Sequence, residues 1–425
     1  SAITFMAIPA KTYATDWLYF FLSMTILMVG PFVIWWFLPY YRRMNLTTAY
    51  EYLERRFNLA TRLIGGLMYI ALQLGRLGIV LLLPSLALSL VTGMGVNSCI
   101  LLMGGLSIAY TVMGGIEAVI WTDVIQVGVL MLGAMLVLIF IPLQLEGGLP
   151  AVWETIELHQ KMQVLDLRLD FSQPTLWVVL IGGFASNLIQ YSSDQTVIQR
   201  YLTTATEKEA ARSIMTGTLM ALPATLIFFS IGTLLFVFYQ HQPQALAFNL
   251  SSTDAIFPWY IVTQLPQGIS GILIAAIFAA AMSSIDSSMN SVATVITTDF
   301  VRRFRKGISE QTYLKLARAL TVGVGLTGTA LALYMAQGGS TSLWDDFNTI
   351  VGLFAGGLGG IFLLGILSKR ANGPGAVAGL LVSGGAQYLI SEFTQVHFLL
   401  YACTGLLTAW GVGYLASLLF RRRRE

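Results

Sequence analysis

The chain has 425 residues, of which 56% are hydrophobic and only 11% charged, with a mean hydropathy of +0.73 and a net charge of +3. A soluble domain carries about 25% charged residues, so this composition excludes one and points to a polytopic membrane protein. Apolar runs of about 20 residues recur, which is the length of a helical span; the strands of a membrane barrel would alternate over about 10 residues.

In chain order, Ser1 to about Pro9 reads as half a helix. Apolar spans follow at about 16–41, 62–92, 96–113, 115–144, 172–193, 212–239, 268–298, 312–336, 347–368, 373–391 and 396–420. The chain opens on Ser1 with no Met, inside an apolar stretch, so upstream residues are expected to be absent and 1–425 to form one membrane domain. Twenty of the 24 Lys and Arg fall in alternate loops, around 42–62, 200–212, 302–318, 369–370 and 421–424. By the positive-inside rule those loops and the C-terminus are cytoplasmic. The RRRR tail reads as a stop-transfer anchor or a contact to anionic lipid. Cys99 and Cys403 fit no metal or redox spacing and read as packing residues. Gly352, Gly356 and Gly360, and then Gly375 and Gly379, recur at every fourth position, a spacing that lets helices approach closely in lipid.

A charge within a span is costly, about 2.5–3.5 kcal/mol for a carboxylate on insertion scales. Three such charges are expected here: Arg76, Asp123 and Asp286. Asp286 lies in "AAAMSSIDSSMN", where Ala280, Ser284, Ser287 and Ser291 share one helix face and Ser283 and Asp286 lie along its edge. Such an oxygen-rich surface suits a hard cation; the other reading is serines bonded back to their own helix carbonyls. Asp123 is either a boundary acid facing water or a deeper one. Arg76 is either a structural partner of a buried acid or the counter-ion of an anionic solute. "IGGFASNLIQYSSDQ", Ile181 to Gln195, mixes polar and small residues into a span. Interrupted helices in two halves of a chain are the sequence mark of a secondary transporter.

"YTVMGGIEAVIWTDVIQ" (Tyr110–Gln126) and "DQTVIQRYLTTATEKEAARS" (Asp194–Ser213) resemble the two signatures of the sodium/solute symporter family, and "FAAAMSSIDSSMNS" resembles its eighth core helix. Within that family, "SAITFMAIPAKTYATDW" and "LGRLGIV" are most similar to bacterial sialic acid symporters. The resemblance implies an all-α polytopic protein of the LeuT type, with two inverted five-helix repeats and broken first and sixth core helices. It implies one transporter domain over 1–425 that starts inside the first core helix. The main sodium site would take the Ala280 carbonyl and the Ser283 and Ser284 hydroxyls. A second sodium site would take Asp123, Ser283, Asp286 and Ser287, although the relatives carry Ser where this chain has Asp286. Ser1, Thr4 and Arg76 match substrate positions, with Arg76 facing the sugar carboxylate, whereas Tyr19 and Ser23 occupy substrate positions where sialic acid transporters carry Phe and Gln. The implied function is sodium-coupled import, with Na+ as the coupling ion, of sialic acid or a related sugar acid. The alternative solute is a neutral sugar of the glucose or galactose type. The implied protein is a monomer of the bacterial inner membrane that binds no nucleic acid. A membrane sensor module is a weaker reading, and no nucleophile–base constellation supports an intramembrane enzyme.

Overall fold

A computed structural model describes residues 3–44, 46–246, 252–305, 307–338 and 342–420, with the side chains of 114–123 outside the description. Ser1 and the Arg421–Arg424 tail therefore lie outside the described residues. The described residues form helices and connecting turns. A π-turn, Ile3–Ala7, leads into α1 (Ile8–Ala14), followed by α2 (Phe20–Arg43), α3 (Ala49–Arg56), α4 (Leu59–Thr92), α5 (Val96–Leu143) and α6 (Gly148–Leu158). Next come α7 (Leu176–Ser193), α8 (Gln195–Leu202), α9 (Glu207–His241), α10 (Ile256–Gln264) and α11 (Gln267–Phe304). The last four are α12 (Glu310–Gln337), α13 (Leu343–Leu367), α14 (Gly373–Phe393) and α15 (Tyr401–Leu419).

Among the described residues, nine segments are long and apolar enough to cross a membrane. The expected spans at 172–193 and 373–391 are helices, α7 and α14, yet they are not among the nine. Ser, Asn, Gln and Gly lower their hydropathy because they serve internal contacts. The break expected near Gly114 is absent from the backbone, which is helical throughout α5; two of the nine spans, Val96–Met113 and Val124–Leu143, lie within it. The first helix does not stop at Pro9. Pro is tolerated in the first turn of a helix, and α1 runs on to Ala14.

Caps written in the sequence start several helices. Thr48 accepts from the Glu51 amide, Asn58 from the Thr61 amide, and Thr206 with Glu209 forms a full capping box at α9. The glycine series pack as expected. A Cβ on Gly356 would meet Gly405 and the Ala402 carbonyl, and one on Gly379 would meet Gly413 and the Ala409 carbonyl, so α13 and α14 both lie against the α15 backbone.

Contacts between loops sort the molecule into two faces. On one, Arg62 and Thr48 reach Asp299, Arg42 reaches the Thr204 carbonyl, and Arg56 donates to the Gly365 and Ala371 carbonyls. These are the Lys- and Arg-rich loops singled out above. On the other, Lys161 reaches the Tyr13 carbonyl, Asp254 accepts from the Leu343 amide, and the His397 amide donates to Phe171.

Candidate functional site

Helix α4 presents Tyr69, Gln73 and Arg76 on one face, at the spacing of successive turns. Opposite them the sixth span breaks. α7 ends at Ser193, Asp194 is extended (φ −78°, ψ 121°), and α8 restarts at Gln195. The Asp194 carboxylate accepts from the Thr196 amide at 2.8 Å, which satisfies one of the amides that the new helix start exposes. Gly182 and Gly183, in the stretch expected to be irregular, are instead regular helix. Gly182 lies against the Leu399 carbonyl and Gly183 against Leu22 and Thr25, where a side chain would clash.

A cavity of about 150 Å³ lies between α2, α4, α7 and α13. Trp344, Phe347, Leu72 and Val351 supply apolar wall, and Ser23, Gln73, Arg76, Asn187, Gln190 and Asn348 supply polar groups. That mixture suits an oriented small molecule. One Arg76 terminal nitrogen, Nη1, lies 3.9 Å from Asp194, and the guanidinium lies over the Phe347 ring at 5.9 Å. Its Nε is buried with no hydrogen-bond partner, a donor held ready for a planar acceptor.

Arg76 also borders a second cavity of about 320 Å³, walled by α5, α8 and α11. Its α11 wall is Ala280, Ser283, Ser284, Ser287 and Ser288, and the exposed Arg200 stands at its edge. The Ser283 and Ser284 hydroxyls donate to the Ala280 carbonyl at 3.2 and 3.3 Å. Ligands at right angles around a cation, with metal–oxygen distances of about 2.4 Å, stand about 3.4 Å apart. Each hydroxyl therefore stands from the Ala280 carbonyl at about the separation of two neighbouring ligands of a hard cation, and both are the back-bonded serines of the alternative reading as well. Arg200 donates to the Ser287 hydroxyl at 3.1 Å. Asp286 is buried on α11 and reaches α5, where its carboxylate accepts from the Thr111 hydroxyl.

The structure thus brings Ser23 and Arg76 to the first cavity, and Arg76, Ala280, Ser283, Ser284 and Ser287 to the second. It does not bring Thr4 or Tyr19 to either. Thr4 falls in the π-turn, whose wider winding changes side-chain phase. Tyr19 is buried between Lys11, 4.9 Å from its ring centre, and His397. The Asp123 side chain and Ser1 lie outside the described residues. Sequence reasoning missed Gln73, Asp194 and Arg200. The signal for Asp194 was present in "YSSDQ", where an acid follows the polar end of a span.

A profile described as the sodium:solute symporter family matches residues 1–383. The chain is 36% identical to the sodium/sialic acid symporter NanT of Aliivibrio fischeri, over 99% of this chain and 83% of that one. It is also 36% identical to the sodium/sialic acid symporter SiaT of Proteus mirabilis, over 100% of this chain and 86% of the other. The chain belongs to the sodium:solute symporter family.

A solved structure of a substrate-bound, outward-open sodium-coupled sialic acid symporter superposes with a TM-score of 0.92 at 35% identity, covering 99% of this chain and 87% of that one. The nucleobase-cation symporter Mhp1 shares the fold, with a TM-score of 0.64 at 15% identity over 98% of this chain and 89% of that one. This sodium:solute symporter is a LeuT-type multi-pass membrane transporter and not an enzyme, and sodium is its coupling ion. The hydroxyl and carbonyl oxygens of α11 are a donor set that fits such an ion.

Proposed function

We propose that this symporter imports sialic acid or a closely related sugar acid together with sodium. The carrying observation is Arg76, whose buried Nε has no hydrogen-bond partner at the wall of a cavity that also holds neutral polar groups and the Asp194 carboxylate. A guanidinium in such a place recognises a carboxylate, and Ser23, Asn187, Gln190 and Asn348 are suited to hydroxyl and amide groups. The names of the two sialic acid symporters support the same class of solute.

The main sodium site is the Ala280 carbonyl with the Ser283 and Ser284 hydroxyls. A second site joins Ser283 and Ser287 with Asp123 and Asp286, the last reaching it from beside Thr111. Ser1 completes the substrate set. The Lys- and Arg-rich face is cytoplasmic and the working unit is a monomer. The test is uptake of labelled N-acetylneuraminate into proteoliposomes with and without an inward sodium gradient. Sodium-driven accumulation supports the reading. Uptake of glucose or galactose with the acid inert overturns it.

A further inference from the structure

Arg76 and Asp194 are the two charged side chains at the wall of the first cavity, and they face each other at 3.9 Å. Asp194 is 8% exposed and heavily donated to. Besides the Thr196 amide and hydroxyl, the Gln73 side-chain Nε2 donates to it at 3.3 Å, and the Tyr69 hydroxyl oxygen lies 3.4 Å away. Those two α4 residues also hold α11. The Ser288 hydroxyl donates to the Gln73 side-chain Oε1 at 3.1 Å, and the Tyr69 hydroxyl donates to the Ser291 hydroxyl at 2.8 Å. The Asp194 carboxylate is therefore one side chain removed from the helix that carries Ser283 and Ser284.

Charge balance gives this arrangement a consequence. With the cavity empty, Arg76 and Asp194 sum to zero. An anionic solute at Arg76 alone adds one uncompensated negative charge beside Asp194, in surroundings of low dielectric where like charges repel strongly. A sodium ion on α11 restores neutrality. We propose that the Asp194 carboxylate couples the two cargoes: it draws sodium to α11, and it opposes an anion at Arg76 until sodium has bound. The inference rests on the reading of the solute as a sugar acid and of α11 as the sodium helix. It assigns a positioning role to a residue outside both sets.

The test separates charge from helix capping. Asp194→Asn and Asp194→Ser both keep a good cap for α8 and remove the charge, whereas Asp194→Glu keeps the charge. The first readout needs no solute: sodium titration of purified protein, followed by its effect on melting temperature. Half-saturating sodium is expected to rise at least threefold in Asp194→Asn and Asp194→Ser, and to stay within twofold of wild type in Asp194→Glu. The second readout is the dissociation constant for N-acetylneuraminate in choline against sodium medium. The ratio of the two constants is expected to fall at least tenfold in Asp194→Asn. Wild-type sodium affinity in both uncharged variants, or an unchanged ratio in Asp194→Asn, overturns the proposal. If wild-type protein binds no N-acetylneuraminate, the substrate reading fails, and the sodium titration still decides the role of Asp194.

Discussion

At the scale of single residues, the chemistry rests on a few polar groups set against apolar walls. Arg76 has the most to gain from a ligand, because a buried guanidinium donor without an acceptor is costly. A charge-assisted hydrogen bond contributes about 1.5–3 kcal/mol, or about 10- to 150-fold in affinity. Arg76→Ala should weaken binding of N-acetylneuraminate by that factor and leave its neutral methyl ester nearly unaffected; calorimetric titration of both ligands checks it. Equal losses would make Arg76 structural. On α11, Ser283→Ala or Ser284→Ala removes a hydroxyl that stands at ligand spacing from the Ala280 carbonyl. Each should raise the sodium concentration for half-maximal uptake severalfold while leaving maximal uptake largely intact. The serine face and Arg76 were legible in the sequence because polar groups in an apolar run stand out. Asp194 was harder to find. It sits where a span meets a signature segment and looks like a boundary residue until the fold places α4 across from it.

At the scale of elements, the molecule is held by caps, glycine contacts and one buried ionic cluster at the basic face. Arg62 of α4 pairs with Asp299 of α11 and, at 2.6 Å, with Glu54 of α3. Thr48 donates to the same Asp299 at 2.7 Å, and Arg303 reaches Glu54 at 2.8 Å. Removing one partner of a buried pair leaves the other charge uncompensated, at a cost of about 3–5 kcal/mol. Arg62 keeps Glu54, so Asp299→Ala should cost near the lower end of that range. A lowered melting temperature, with sodium affinity unchanged in the surviving protein, is the expected result. An unchanged melting temperature would show that Thr48 and the helix packing suffice. The Lys- and Arg-rich loops that alternate along the sequence contact one another on one face, through Arg42, Arg56 and Arg62. The position of the sixth-helix break was not legible. Gly182 and Gly183 look like a break in sequence, yet their missing side chains serve close packing, and the interruption falls eleven residues after Gly183, at Asp194.

At the scale of the whole molecule, contacts bridge the face opposite the basic loops, and the hydroxyl-lined cavity reaches the exposed Arg200. Two contacts reach the start of α13: Lys11 of α1 donates to Asp345 at 2.8 Å, and the Leu343 amide donates to Asp254, in the turn before α10, at 2.8 Å. An ion pair this exposed is worth up to about 1 kcal/mol. Lys11→Ala should therefore shift the conformational balance by no more than about fivefold toward the form open on that face. Faster labelling of a Tyr19→Cys reporter by an impermeant maleimide, in a protein lacking Cys99 and Cys403, would register the shift. The same layer carries two opposed titrations. Burial, with Asp345 and Asp346 nearby, raises Asp254 to about 6, against the hydrogen bond from the Leu343 amide and the weaker pull of Lys11. Burial lowers His397 to about 4, with Asp345 opposing the shift and Lys11 adding to it. A carboxyl raised in the folded state holds its proton more tightly there, so its contribution to stability is lost as pH rises from about 4 through 6. A histidine lowered in the folded state releases its proton more readily, so its contribution grows as pH rises from about 4 to 6.5. Each shift is worth at most about 3 kcal/mol, and less for the part-exposed His397. The two slopes oppose each other, and wild-type melting temperature should vary little across that window. Asp254→Asn should leave the histidine slope, with stability rising toward neutral pH. His397→Asn, which keeps an acceptor for the Leu399 amide, should leave the opposite slope. Identical pH profiles in the two variants would show that neither group titrates on that face.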